Sequence, residues 1–425
     1  MFNQIKLLMD SSNKDLRKRI YFTLIILAIF CFGTTISVPW AKDFAVSELG
    51  FLGIFNLMSG GALQQFSIFA LGVGPYITAS IITQLLQMDI IPYFKDLKDQ
   101  GYVGKQKINK ITRYLGIVFA FAQAFIVAIS FNQSATTADI VTTSLVMTAG
   151  TALVLWLGDL ITKKGIGNGI SLIILAGILQ TMPSMFIIAF NSLVNSTVFG
   201  AGLGTILFVA FVIIYLLIVV GIIWIQLAER RIPIQHANRT SSSYGGQQNF
   251  LPIKINSAGV IPVIFASTFV AIPSTIVAVI GNETAINFVE NYISYTSLTG
   301  FFLYIALIFF FGYFYTFLQM NPEEMSKNLN KSGAYIPGVR PGVDTSKYIS
   351  IVLKNLTIVG SVFLIIIAGL PILFSNLSGL PAEVTIGGTG LLIVVGVAIE
   401  TSKQIESSLV TRTHRSRVKR WISYL

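Results

Sequence analysis

The chain has 425 residues, 54% hydrophobic and 11% charged, with a mean hydropathy of +0.75 and a formal charge of +11. A water-soluble domain carries about 25% charged residues, so this composition excludes one and requires a chain embedded in lipid. The single cysteine, Cys31, excludes an internal disulfide and a thiolate metal cluster.

Charge-free intervals recur at the length of a membrane helix, about 20 residues, and lack the alternation of barrel strands. In chain order they predict ten spans, at about 20–38, 73–91, 114–131, 141–158, 170–190, 204–228, 257–280, 301–320, 355–374 and 386–402. The first follows Lys14, Arg17, Lys18 and Arg19, like the basic start of a signal peptide. Its core is too long, and no small-residue cleavage site follows, so a retained helix is expected. The preceding "MFNQIKLLMD" is mildly amphipathic and suits the membrane interface.

With the N-terminus inside, the inner loops hold Lys14 to Arg19, Lys95 to Arg113, Lys163 and Lys164, Arg230 to Lys254, Lys327 to Lys347, and Lys403 to Arg420. Outside there is one base, Lys42, against six acids: Asp43, Glu48, Asp139, Glu283, Glu290 and Glu383. Inside there are 28 bases against 12 acids. That asymmetry, kept through every crossing, is the positive-inside pattern of a cytoplasmic N-terminus.

The same bookkeeping isolates "SGGALQQFSIFALG", Ser59 to Gly72, because only one crossing fits between Glu48 and Lys95. A second span there would invert every later loop. Two readings remain: a re-entrant half-helix, tolerable at membrane depth only inside protein or beside a water-filled cavity, or a loop capping the outer face.

Ten helices divide into 1–5 and 6–10, and an odd number per half gives opposite orientations, the arithmetic of inverted repeats. After Arg113 no acid or base lies well inside a predicted span; Asp159, Lys354 and Glu400 sit at ends. Ion-coupled carriers need such buried charge. A conduit lined by neutral side chains is what remains, for which branched aliphatics exclude ions by excluding water. Ile77 with Ile81 and Ile174 with Ile178 have helical spacing for such a lining, which is equally the spacing of lipid-facing or packing residues.

Several segments together resemble the SecY family of protein-conducting channel subunits, in family order from about residue 16 to 415: "SGGALQQFSIFALGVGPYITASIITQLLQM", "KINKITRY", "WLGDLITKKGIGNGIS", "INSAGVIPVIFAS", "NPEEMSKNLNKSGAYIPGVRPG" and "GGTGLLIVVGVAIE". The resemblance implies an all-α membrane protein with ten transmembrane helices, in two inverted five-helix halves around a central pore. It implies a re-entrant plug half-helix at about 57–71, containing Ser59, Gly60, Gly61, Ala62, Leu63, Gln64, Gln65 and Phe66. It assigns a pore ring to Ile77, Ile81, Ile174, Ile178, Ile264 and Ile393. A lateral gate is implied between the second and seventh helices. Pro262 and Pro273 permit a kink in the seventh, and Gln84 and Gln87 belong either to that seam or to ordinary helix packing.

The implied organisation is an interfacial N-terminus over 1–19, a first half over 20–190, an external connection over 191–203, and a second half over 204–402 with inner loops 229–256 and 321–350. A basic tail over 403–425 completes it. The tip "YIPGVRPG" presents Arg340, and Arg230, Arg231 and Arg239 lie in the companion loop. The resemblance makes these contacts for the SecA motor and the ribosome; the alternative is that they only set topology. The tail has charges that suit ribosomal RNA, the motor or anionic lipid. SecE and SecG are the implied small membrane partners, and unfolded preprotein or its signal peptide the implied cargo, in a bacterial plasma membrane.

The expected function is a passive gated channel that passes unfolded polypeptides and releases apolar segments sideways into lipid. No phosphate loop or zinc spacing is present, and His236 and His414 stand in polar segments, so neither cofactor nor metal nor enzymatic activity is expected and the energy comes from a motor or from translation. The alternative is an inverted-repeat secondary transporter for a neutral solute; an intramembrane enzyme lacks any Ser/His, paired-Asp or HExxH set.

Overall fold

The computed structural model describes residues 14–38, 56, 58–87, 91–131, 136–194, 200–236, 249–280, 282–294, 297–378 and 390–409. In chain order the elements are α1 (Lys14–Gly33), α2 (Gly74–Leu86), α3 (Pro92–Asp99), α4 (Tyr102–Phe131), α5 (Thr137–Lys164), α6 (Gly169–Val194) and α7 (Gly200–Leu227). There follow β1 (Glu229–His236), β2 (Asn249–Lys254), α8 (Ile261–Ile280), α9 (Glu283–Tyr292), α10 (Leu298–Gln319), α11 (Pro322–Lys331), β3 (Ala334–Tyr335), α12 (Val343–Ser378) and α13 over 390–409. Each of the ten predicted spans falls on a helix: α1, α2, α4, α5, α6, α7, α8, α10, α12 and α13. Among the described residues six of them, α4, α5, α6, α7, α10 and α12, are long and apolar enough to cross a membrane.

Helix starts follow local chemistry. Thr136 and Asp139 form a reciprocal capping box at α5, Ser297 caps α10 by accepting from the Gly300 amide, and Asn321 caps α11 with Pro322 at its first position. Lys163 and Lys164 sit in the last turn of α5, where the helix dipole favours cations.

The chain divides into two compact units, one of Met1–Val198, Ala278–Gly281 and Pro381–Leu425, the other of Phe199–Val277 and Asn282–Leu380. In the first, α4 is flanked by α2, α3 and α5, while α1 lies against α5 and α6. Arg113 of α4 and Asp159 of α5 pair where these helices meet. α13 falls in the first unit, with Ala398, Ile405 and Leu409 bordering the same cavity as Leu172 and Leu175 of α6.

In the second unit α12 touches α7, α10 and α11. The two polar loops expected there are more ordered than irregular connections. They build a three-stranded antiparallel sheet in the order β2-β1-β3, pairing Ile232 with Leu251 and His236 with Ala334. Ile232, Ile253, Ile336, Ile349 and Leu353 form its buried core, which joins the sheet to the start of α12. The alternation of Ile232 with Ile234, and of Leu251 with Ile253, is a strand signature interrupted by Pro233 and Pro252.

Ile253 is fully buried, and truncating such a side chain costs about 2–5 kcal/mol. Ile253→Ala is expected to detach the hairpin, read as faster proteolytic nicking within 229–254 while the membrane helices stay protected.

Candidate functional site

Asn56 and Met58 are helical, and residues 59–73 continue as turns up to the start of α2. No regular ladder serves these backbone groups, so they find partners one at a time. The Asn56 carbonyl accepts from the Gly61 amide at 2.8 Å and from Ser59 Oγ at 3.1 Å, and Asn56 Oδ1 accepts from the Gln64 amide at 3.1 Å. The Ser67 amide donates to the Ala62 carbonyl at 2.9 Å. Gly60 and Gly61, at φ of 76° and 79°, supply the left-handed turn that makes this possible.

The segment is seated deep in the first unit. Leu63, Phe66, Ala70 and Leu71 bury themselves against Ala120, Ala124 and Val127 of α4 and Met147 of α5. Phe69 stacks on Phe30 of α1, with ring centroids 6.0 Å apart. Full burial of each large apolar side chain stabilises by about 1.5–3 kcal/mol, which outweighs the cost of holding Phe66 at φ 44°, a conformation worth about 1–2 kcal/mol against a non-glycine residue.

Two glycines make the seat. A Cβ on Gly150 of α5 would stand 1.8 Å from the Ile68 carbonyl oxygen, and one on Gly177 of α6 would stand 2.5 Å from the Met58 carbonyl oxygen. Only hydrogen at those positions lets backbone lie against helix. The sequence reading did not single them out; its available signal was an isolated glycine in the middle of each span. A second missed feature is the polar contact of α1 with α6, where Gln180 Nε2 donates to Thr34 Oγ1 at 2.9 Å and Thr34 Oγ1 donates to the Cys31 carbonyl at 2.7 Å.

The six predicted ring residues are distributed as follows. Ile178 is adjacent in sequence to the Gly177 seat, is 1% exposed, and lies against Gly390 at the start of α13. Ile174, one turn before it, and Ile393, one turn after Gly390, are buried in the same unit. Ile77 and Ile81 are half-buried on α2, which begins where the segment 59–73 ends. Ile264 is half-buried on α8 in the second unit. Gln84 Nε2 donates to Ser80 Oγ at 3.1 Å while its buried Oε1 has no hydrogen-bond partner among the described residues, and at the end of α2 Gln87 Nε2 donates to the Thr83 carbonyl at 3.0 Å.

Of the predicted docking cations, Arg340 has an exposed side chain on a loop whose backbone is tied twice, by Thr345 Oγ1 donating to the Arg340 carbonyl at 2.8 Å and Ser326 Oγ to the Gly342 carbonyl at 2.7 Å. Arg230 is exposed on β1. Arg231 pairs with Glu229 at 2.9 Å, an exposed ion pair of small energy that occupies part of its fork. Arg239 lies outside the described residues. Tyr335 OH donates to Gln235 Oε1 at 3.0 Å, so β3 fastens the two cation-bearing segments into one body. Among the described residues no three His, Cys, Asp or Glu side chains group as metal ligands.

The sequence profile of the SecY family matches residues 67–402. The chain is 46% identical over 423 residues to the protein translocase subunit SecY of Bacillus licheniformis, covering 96% of this chain and 97% of that one. It is 45% identical to the SecY subunit of Bacillus subtilis, covering 99% and 100%. Solved structures share the fold. A protein-conducting channel superposes with a TM-score of 0.67 at 19% identity, over 94% of each chain. Another is a SecY protein whose plug domain stabilises the closed state of the translocation channel and maintains a membrane seal, with a TM-score of 0.65 at 19% identity over 94% of each chain. Sec61 from the canine ribosome–channel complex of the endoplasmic reticulum gives 0.63 at 18%, again over 94% of each.

Gly150→Ala is expected to lift the segment from its seat at a cost of about 1–3 kcal/mol for overpacking. In a Cys31→Ser background, a thiol placed by Ala70→Cys should then react faster with a maleimide than it does with Gly150 intact; equal rates would show that the seat tolerates a methyl group.

Proposed function

The chain belongs to the SecY family, and from that premise we propose that it is the channel-forming subunit of a protein translocase, conducting unfolded polypeptides across the membrane and releasing apolar segments sideways into lipid. The observation that carries this reading is the apolar segment 59–73, seated on the glycine beside Ile178 and continuous with the helix bearing Ile77 and Ile81. Such an arrangement supports a stopper resting at a constriction of neutral side chains. A waist of branched aliphatics holds ions back because water does not wet it, yet it yields to a polypeptide. Ile77, Ile81, Ile174, Ile178 and Ile393 form that waist in this proposal; Ile264 joins it on the family resemblance alone.

The charge asymmetry of the loops supports a bacterial plasma-membrane protein with both termini in the cytoplasm. Arg340 and Arg230, exposed on a body stiffened by the sheet, then face the side where a driver of transport docks, with Arg231 next to Arg230 on β1; Arg239 joins them on the family resemblance alone. Sec61, similar in fold, is seen in a ribosome–channel complex, which supports the ribosome as one driver. SecA as a second driver, with SecE and SecG as membrane partners, follows from the resemblance. The tail's basic residues fit anionic lipid or ribosomal RNA. Near full-length identity to translocase subunits sets the neutral-solute transporter aside.

Ile77→Gly combined with Ile178→Gly is expected to wet the waist and raise resting ion conductance in planar bilayers; conductance equal to wild type would remove the ring assignment. Arg340→Glu should impair motor- or ribosome-driven translocation while the chain still inserts normally, and normal translocation with unaltered motor affinity would remove the docking role.

A further inference from the structure

Between α8 and α10 the chain carries a ten-residue helix, α9, too short to cross a membrane and too apolar on one side to stand in water. At about 100° per residue, Phe288, Tyr292, Ala285, Val289 and Ile286 follow one another around an apolar arc of roughly 160°. Thr284, Asn287, Glu290 and Asn291 fill the remainder. The protein covers only one flank of the apolar arc. Val289 is 6% exposed, and Ala285 and Ile286 are half-buried, whereas Phe288 is 57% and Tyr292 55% exposed. Those two rings lie one turn apart with centroids 5.0 Å from each other, so they present a single aromatic surface.

What covers that surface follows from how α9 is fastened. A Cβ on Gly300 would collide with the carbonyl oxygens of Ser294 and Ile293, so the first turn of α10 lies directly on the end of α9. Thr299 Oγ1 donates to the Asn291 carbonyl at 3.1 Å, and the Ser297 amide and hydroxyl both donate to the Ser294 carbonyl, at 3.0 and 2.8 Å. The elbow has no slack. α10 is long and apolar enough to cross the membrane, and its exposed apolar surface begins at once with Leu298 and Phe302. A helix held against the end of such a span sits at the depth of the lipid headgroups. Between Lys254 and Lys327 the sequence has no Lys or Arg, while Glu283 and Glu290 belong to α9 itself. Anionic headgroups therefore offer α9 no attraction, whereas aromatic rings beside a wet polar face suit the boundary between acyl chains and headgroups.

We propose that α9 is an interfacial anchor: Phe288 and Tyr292 insert among the lipids at the edge of the hydrocarbon, and Asn287, Glu290 and Asn291 stand in the headgroup water. Its partner is the lipid boundary, held by apolar insertion and not by headgroup charge. Through the elbow this anchorage fixes the depth of the adjoining end of α10. Only the choice of leaflet, the outer one, rests on the loop-charge topology of the channel reading.

Spin labels test this in the full chain reconstituted in lipid vesicles, in a Cys31→Ser background that removes the only native cysteine. Phe288→Cys and Tyr292→Cys carry the label on the aromatic flank, Asn287→Cys and Asn291→Cys on the polar one. Each is relaxed with oxygen, which concentrates in lipid, and with a water-soluble nickel chelate. Oxygen is expected to outweigh the chelate at 288 and 292 and the chelate to outweigh oxygen at 287 and 291. The order should be the same in phosphatidylcholine alone and with phosphatidylglycerol added. Water-like values at all four positions, labels at 288 and 292 closed to both reagents as under a protein partner, or an order that needs the anionic lipid would each overturn the anchor. With the label moved to Leu298→Cys, Phe288→Asn combined with Tyr292→Asn should shift it toward the chelate and Phe288→Leu should not. A label unmoved by the double substitution also overturns the proposal. In intact cells a membrane-impermeant maleimide should reach Asn287→Cys; protection there, with the label order kept, supports the anchor and contradicts the topology of the channel reading.

Discussion

In hydrocarbon no water satisfies a backbone amide or carbonyl, so irregular chain at membrane depth survives only where protein supplies every partner. The segment from Ser59 to Val73 is the place where this constraint bears hardest. It is irregular, buried, and flanked by membrane helices. Asn56, the bridge to residues 36–38, and the glycine faces of α5 and α6 together meet that demand. The stopper role proposed for this segment is consistent with that demand: a segment that must be fully partnered in protein to rest there fills the space it occupies.

The placement of charge is the second half of the same physics. Arg113 of α4 and Asp159 of α5 pair with each other, and exposed cations gather on the sheet formed by β1, β2 and β3. That sheet has its own apolar core of isoleucines shared with α12, which gives the cation-bearing loops a rigid base. For the docking role proposed for these loops, such a base is favourable, because less ordering entropy is lost on docking than with flexible chain.

Much of this was legible in the sequence, because hydropathy over about 20 residues and loop charge are long-range, additive signals. All ten predicted spans fall on helices, including the 13-residue α2, which by itself is short for a crossing. Ser59 to Gly72 stood out by elimination, since only one crossing fits around it. The strands were missed because Pro233 and Pro252 break runs of only 8 and 6 residues, and because the basic residues among them dominate a charge reading. Gly150 and Gly177 were missed for a different reason: their meaning lies in a carbonyl from a segment about 80 to 120 residues earlier, and nothing in the local sequence names that neighbour.

A polypeptide in transit is expected to thread past aliphatic side chains on α2, α6 and α13. A photoreactive residue placed in a secretory precursor, stalled part-way by a folded C-terminal domain, reports its neighbours directly. Adducts at Ile81, Ile174 and Ile393, lost when the precursor's signal sequence is deleted, are what the account predicts; adducts confined to lipid-facing residues such as Leu216 or Trp224 of α7 would contradict it.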